Sequence, residues 1–180
     1  MEVINVPSAN NDLDLFKRYP TQLRRYLHWS RDVKSKYGGI VNFVCRERLR
    51  WASSSTEPVT PVSSTPLANA SDYKILRNDW PYAVASDIAH IVVWLKPRFQ
   101  TDSEGRVLPE SRGLIGEFVG NIFVGRLREK HADAADRVLW FKNWSALQSV
   151  GALEHFHVLV RGAGEDLLWE WTAEGPRTTM

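Results

Sequence analysis

The chain has one cysteine, Cys45, in 180 residues. A single thiol cannot close an internal disulfide, so the sequence is not stapled for an oxidising compartment. Cys45 ends the apolar run Ile40-Val41-Asn42-Phe43-Val44-Cys45, where a buried, inert thiol is the expected reading. Long hydrophobic runs are also missing. No stretch approaches the roughly 18 apolar residues of a membrane span, and no apolar signal core opens the chain, so a cytoplasmic protein with no membrane partner is expected. The sequence has no Gly-rich phosphate loop of the Walker type, no dinucleotide fingerprint and no Gly-x-Ser-x-Gly elbow. No bound cofactor is therefore expected. The histidines lack the third ligand that metal spacing would supply, so no metal is expected either.

The hydrophobic and charged fractions, 43% and 24%, are ordinary for a globular protein, and the length fits one domain spanning 1–180. Eight tryptophans are many for this length, and they serve either core anchoring or binding surfaces. Charge is unevenly spread. Ten Lys/Arg against two Asp/Glu lie between Lys17 and Arg50, whereas residues 51–180 are acidic on balance, although the whole chain carries only +2. This asymmetry points to one face that meets phosphates; the plainer alternative is a solvated helix pair. The cations concerned are Arg24, Arg25, Arg31, Lys34, Lys36, Arg46, Arg48 and Arg50.

Residues 1–12 are polar and expected to be flexible, and Leu13 to Tyr19 suits a turn or two. Pro20 suits the first turn of a helix that runs to Tyr37 and stops at Gly38-Gly39. A second short helix is expected over Ile40 to Trp51. Residues 52–71 form a long loop rich in Ser, Thr and Pro. Asn78-Asp79 and Trp80-Pro81 favour a turn. Ile88 to Lys96 is the clearest strand, with His90, Val92 and Trp94 on one face and Ile91, Val93 and Leu95 on the other. Gln100 to Leu108 reads as a hairpin-like loop, Pro109 to Lys130 as a helix, and Arg137 to Lys142 as a short strand. A helical turn over Trp144 to Ala152, a strong strand from Leu153 to Arg161 and a short element over Leu167 to Trp171 complete the chain. Helices interspersed around a small mixed or antiparallel sheet make the expected class α+β, with a basic helical region at the front.

The densest chemistry lies in Glu154-His155-Phe156-His157. On a strand, His155 and His157 share one side and Glu154 takes the other. Paired imidazoles suit proton transfer, a metal or hydrogen bonding, while a satisfied structural histidine is the default. Trp140-Phe141-Lys142-Asn143-Trp144 sets aromatic rings beside a cation and an amide, as base stacking requires and as a core strand with a snorkelling lysine also would. Arg77, Asn78, Asp79 and Trp80 sit at a turn, where site residues concentrate.

Several runs together resemble one family: Tyr37-Gly38-Gly39-Ile40-Val41-Asn42-Phe43, Asp72-Tyr73-Lys74-Ile75-Leu76-Arg77-Asn78-Asp79-Trp80-Pro81-Tyr82, His90-Ile91-Val92-Val93-Trp94, the Trp140–Trp144 run, and Leu153 to Arg161. The chain is identified as similar to a fungal family named after an N-acetylglucosamine-induced protein and long classed as a domain of unknown function. Some of its members are arginine-containing cyclodipeptide synthases. The resemblance thus implies an enzyme that joins arginine and a second amino acid, delivered as arginyl-tRNA and a second aminoacyl-tRNA, into a 2,5-diketopiperazine, with no DNA partner. It carries over no catalytic residue. The residues themselves offer His155 or His157 as base, Asn143 or Lys142 as oxyanion donor, and Asp79 or Glu154 as partner for a guanidinium. Arg77, Asn78, Trp80, Trp94, His90 and Trp144 would border the substrate. The alternative is a non-catalytic RNA- or sugar-nucleotide-binding protein of the N-acetylglucosamine response.

Overall fold

The computed structural model describes residues 19–52, 58–143 and 152–176. Within them a four-stranded antiparallel sheet is packed with helices, as expected of an α+β chain. Its strands are β1 (Tyr73–Arg77), β2 (Ile88–Leu95), β3 (Val138–Phe141) and β4 (Glu154–Arg161), in the order β1-β2-β4-β3. The two strongest strand signals thus become the two central strands. β2 is rich in β-branched residues and β4 is buried along nearly its whole length, as a pleated surface covered on both sides requires. Their register sets Val92 opposite His157 and Trp94 opposite His155.

Because side chains alternate, the sheet has two different faces. One carries Ile91, Val93, Leu95, Phe156, Val158 and Val160 into the main core. Helix α3 (Pro109–Val119) covers that face and continues through a π-helical turn, Gly120–Val124, into α4 (Gly125–Leu127). The C-terminal helix α5 (Glu165–Thr172) adds Leu167, Leu168 and Trp171. The single helix expected over Pro109 to Lys130 is therefore interrupted by wider turns and ends at Leu127.

The other sheet face carries His90, Val92, Trp94, His155 and His157. Helix α1 (Pro20–Tyr37) lies on this side, starts with Pro20 and closes on Gly38, whose φ of 74° is the left-handed cap that glycine adopts without strain. After α2 (Ile40–Phe43) the chain widens into a π-helical segment, Val44–Leu49, in place of the regular helix expected to Trp51. Val44, Cys45 and Leu49 pack there with Leu76 and Leu153. Cys45 is buried, and burial pushes its thiol up from the ordinary value, in keeping with an inert side chain.

Residues 58–69 of the Ser/Thr/Pro-rich stretch carry no helix or strand. They are pinned by Asp72, whose fully buried carboxylate accepts from the backbone N–H groups of Val62 at 2.8 and 2.9 Å and of Ser63 at 2.7 Å. The flexible segment expected over 1–12, the turn expected over Leu13 to Tyr19 apart from Tyr19 itself, and the helical turn expected over Trp144 to Ala152 apart from Ala152 itself lie outside the described residues. Among the described residues no helix is long and apolar enough to cross a membrane.

Candidate functional site

A cleft opens on the histidine-bearing face of the sheet. It encloses about 710 Å³ counted to its mouth, solvent included. Its floor is built by Val92 and Trp94 of β2 and by His155 and His157 of β4. Tyr26 and Trp29 of α1 form one wall with Ile40, Val44 and Arg48; Arg77, Asn78, Asp79, Trp80 and Tyr82, from the end of β1 and the turn after it, form another.

His155 is the most sharply defined group in the cleft. Its Nδ1 lies 2.9 Å from the carbonyl oxygen of Leu153. A carbonyl only accepts, so Nδ1 carries the proton and Nε2 holds the lone pair of the neutral ring. Burial holds its pKa below the ordinary 6.5, while the Leu153 carbonyl and the Glu154 charge oppose the shift and Lys142 adds to it. Trp94 packs on the ring, with centroids 4.7 Å apart. The result is a neutral imidazole near pH 7, fixed in one tautomer.

His157 belongs to a polar chain beside it. Its Nδ1 meets Nε2 of buried His90 at 3.0 Å, and Asn143 Nδ2 lies 3.4 Å from its Nε2. Asn143 also reaches the Tyr82 hydroxyl at 3.3 Å, and Asn78 Nδ2 lies 3.1 Å from His90 Nε2. Stacking on Phe141, with centroids 5.0 Å apart, holds the His157 ring plane. His90 thus stands behind His157 rather than on the cleft wall.

Two proposed chemical residues lie elsewhere. Lys142 and Glu154 pair with each other, Nζ to Oε1 at 2.9 Å, with side chains only 7% and 6% exposed. Glu154 also accepts from the Phe99 backbone N–H at 3.3 Å. Glu154 opens β4 on the face opposite His155, Lys142 follows directly after β3, and neither lines the cleft. Asp79 does line it, paired through Oδ2 with Arg48 Nε at 3.0 Å. Arg48 also bonds Glu174 at 2.7 Å, and Glu174 accepts in addition from the Arg77 backbone N–H at 2.8 Å. The Arg77 guanidinium is held by both oxygens of Glu165, at 3.2 and 2.6 Å.

Of the cations read as one patch, Arg24, Arg25, Arg31, Lys34, Lys36, Arg46 and Arg50 are exposed, and Arg48 turns into the cleft. Lys36 of α1 and Arg46 of the π-helical segment converge on the Tyr37 ring, 5.2 and 5.8 Å from its centroid. Trp144 lies outside the described residues. Among the described residues no cluster of three or more His, Cys, Asp or Glu is placed to hold a metal ion. Sequence reasoning missed Tyr26, Trp29 and Tyr82 as cleft residues. The available signal was that Tyr26 and Trp29 stand three apart, neighbours on one face of the helix.

Fold and site together define an α+β protein with a histidine-floored, aromatic-walled cleft beside a basic helix. The chain belongs to a family described as a protein of unknown function, DUF3605, whose model matches residues 2–161. It is 24% identical over 181 residues to N-acetylglucosamine-induced protein 1 of Candida albicans, covering 92% of this chain and 69% of the relative. It is also 24% identical over 149 residues to the uncharacterized protein YPL067C of Saccharomyces cerevisiae, covering 82% of this chain and 71% of that protein. The crystal structure of HTC1 shares its fold, with a TM-score of 0.68 at 19% identity over 88% of this chain and 85% of that one.

Proposed function

We propose that the protein is a tRNA-dependent aminoacyl transferase that joins arginine and a second amino acid into a cyclic dipeptide. The observation that carries this reading is His155, a neutral imidazole of fixed tautomer on the floor of a cleft walled in part by α1, a helix that bears exposed arginines and lysines. An aminoacyl ester is already activated, so the enzyme needs neither a nucleotide nor a phosphate loop. It must position two acyl groups, remove a proton from an ammonium and stabilise an oxyanion.

In this mechanism His155 Nε2 takes a proton from the α-ammonium of one aminoacyl group. The freed amine attacks the ester carbonyl of the other, a C–N bond forms, and the C–O bond to the ribose breaks. His155 passes this proton to the departing ribose oxygen, then takes the second proton that the attacking nitrogen loses as the adduct becomes the amide and releases it to solvent, which restores neutral His155. A second attack, by the remaining amine on the remaining ester, closes the six-membered ring and releases the second tRNA. Asn143, whose amide nitrogen meets His157 and the Tyr82 hydroxyl, would donate to the oxyanion by giving up one of those contacts. Asp79, with its side chain about one third exposed at 32%, is the cleft carboxylate nearest in kind to a guanidinium partner.

The test is incubation with arginine, arginyl-tRNA synthetase, tRNA and a second charged amino acid, with the products read by mass spectrometry. An arginine-containing diketopiperazine that disappears on ribonuclease treatment is expected. Product that survives ribonuclease removes tRNA from the mechanism. A second reading, a non-catalytic sugar-nucleotide binder, draws on the aromatic walls, and it requires saturable ligand binding with no turnover.

A further inference from the structure

The cleft mouth has a feature that the transfer chemistry does not use. Tyr26, Trp29 and Trp80 form a triangle of rings, with centroids 5.9, 5.5 and 5.3 Å apart. Trp29 is braced edge-on by Phe43 at 5.5 Å, and Phe43 in turn by Tyr37 at 5.2 Å. The Trp80 backbone is fixed by its N–H to Asn78 Oδ1 at 2.9 Å. All three rings are only half-buried, and all three line the cleft. Exposed Arg25 and Lys36 stand four residues before and seven after Trp29, on the same flank of α1, and His155 and His157 lie on the cleft floor.

We propose that Tyr26, Trp29 and Trp80 are a stacking platform for the unpaired terminal nucleobase of an RNA 3′ end. This proposal rests on the reading of the cleft as an aminoacyl-transfer site. Aromatic faces accept any base, since every base presents a π-face, and cations beside them take the backbone phosphates. Bases inside a duplex are stacked on both sides, whereas an unpaired terminal base is free to lie on the rings, so the occupant is single-stranded at its end. A sugar ring alone would leave the cations of α1 without a role. Stacking the last base at the mouth hands the adjoining ribose ester inward, toward His155.

The experiment uses the full chain and a 5′-labelled single-stranded RNA tetranucleotide ending in adenosine, followed by fluorescence anisotropy across a salt series. The comparison ligand is the same oligonucleotide with an abasic terminal ribose, which keeps every phosphate. Loss of the base is expected to weaken binding by roughly 5- to 100-fold, the range that one stacked base supplies. Trp80→Ala and Trp29→Ala should weaken the intact oligonucleotide by a similar factor and leave the abasic one unchanged, while Trp80→Phe should retain most of the effect. Circular dichroism and melting confirm that each variant is folded. Equal affinity of wild type for the two oligonucleotides overturns the proposal. So does a Trp80→Ala loss equal for both ligands in a folded variant, or tighter competition by N-acetylglucosamine than by the abasic oligonucleotide. Base discrimination without diketopiperazine formation keeps the platform and removes the transfer reading; product without base discrimination does the reverse.

Discussion

Replacing Lys142 by methionine leaves the Glu154 carboxylate charged, buried and without its partner. The two ions lie 2.9 Å apart with side chains 7% and 6% exposed. At an effective dielectric of about 20 their attraction is about 6 kcal/mol, and the desolvation of both ions offsets much of it. The pair as a whole therefore adds little to stability, but half of it is costly: about 3–5 kcal/mol for Lys142→Met. For a chain of this size that is a fall in melting temperature of about 6–20 °C. Adding Glu154→Gln removes the orphaned charge and keeps an oxygen to accept the Phe99 N–H, so the double variant should recover most of the loss, to within about 2 kcal/mol of wild type. Urea unfolding of the four proteins in the cycle, followed by circular dichroism, measures this directly. Additive single losses, or a Lys142→Met loss under about 1 kcal/mol, would refute the claim that a dry, coupled pair sits behind the sheet.

For Asp72, burial favours the neutral carboxyl, but the Val62 and Ser63 N–H groups and Lys96 outweigh it and hold the pKa below the ordinary 3.8. The stability it supplies is present above the unfolded carboxylate value and lost as pH falls through the lower folded value, so Asp72→Asn should flatten the acid limb of the stability curve. For His155, burial lowers the folded pKa, so below about 6.5 the unfolded chain takes up a proton that the folded chain refuses. Stability should therefore drop as pH falls in that range, and His155→Gln should remove the dependence in the same denaturation series. If His155 is the base, the rate should rise with pH through a value below 6.5 and fall by about 10²–10⁴-fold in His155→Gln, measured as product per folded enzyme. The triple variant Arg24→Glu, Arg25→Glu, Lys34→Glu should bind tRNA more weakly and show a shallower salt slope in filter binding, with an unchanged melting temperature.

The alternation of Ile88 to Lys96 and of Leu153 to Arg161 was enough to assign β2 and β4 and to place His90, Trp94, His155 and His157 on shared faces, because a strand's period of two is a local property. Cross-strand register is not local, so the sequence did not reveal that Trp94 faces His155 and Val92 faces His157. The same limit explains Lys142 and Glu154: alternation already set Glu154 on the face opposite His155, but that Lys142 meets it on that face depends on how β3 pairs with β4. Arg48 reads as one more cation in a basic run, and only the fold brings Asp79 and Glu174 to it from 31 and 126 residues away. Tyr26 and Trp29 were visible as aromatics on α1, whereas their partner Trp80 comes from another element and could not be read from helical spacing.

The segment Val44–Leu49 holds more residues per turn than an α-helix, so each residue advances the side chains by less than the ~100° of α geometry. Over its length this offset decides which residues look inward. Arg48 reaches Asp79 and Glu174, while its neighbours Arg46 and Arg50 stay in solvent. Deleting one residue from the segment would rewind it to the narrower coil, swing Arg48 around the axis and take the Asp79–Arg48–Glu174 bridge apart. A chain shorter by one uncharged residue of this segment would keep its net charge and have a differently furnished cleft.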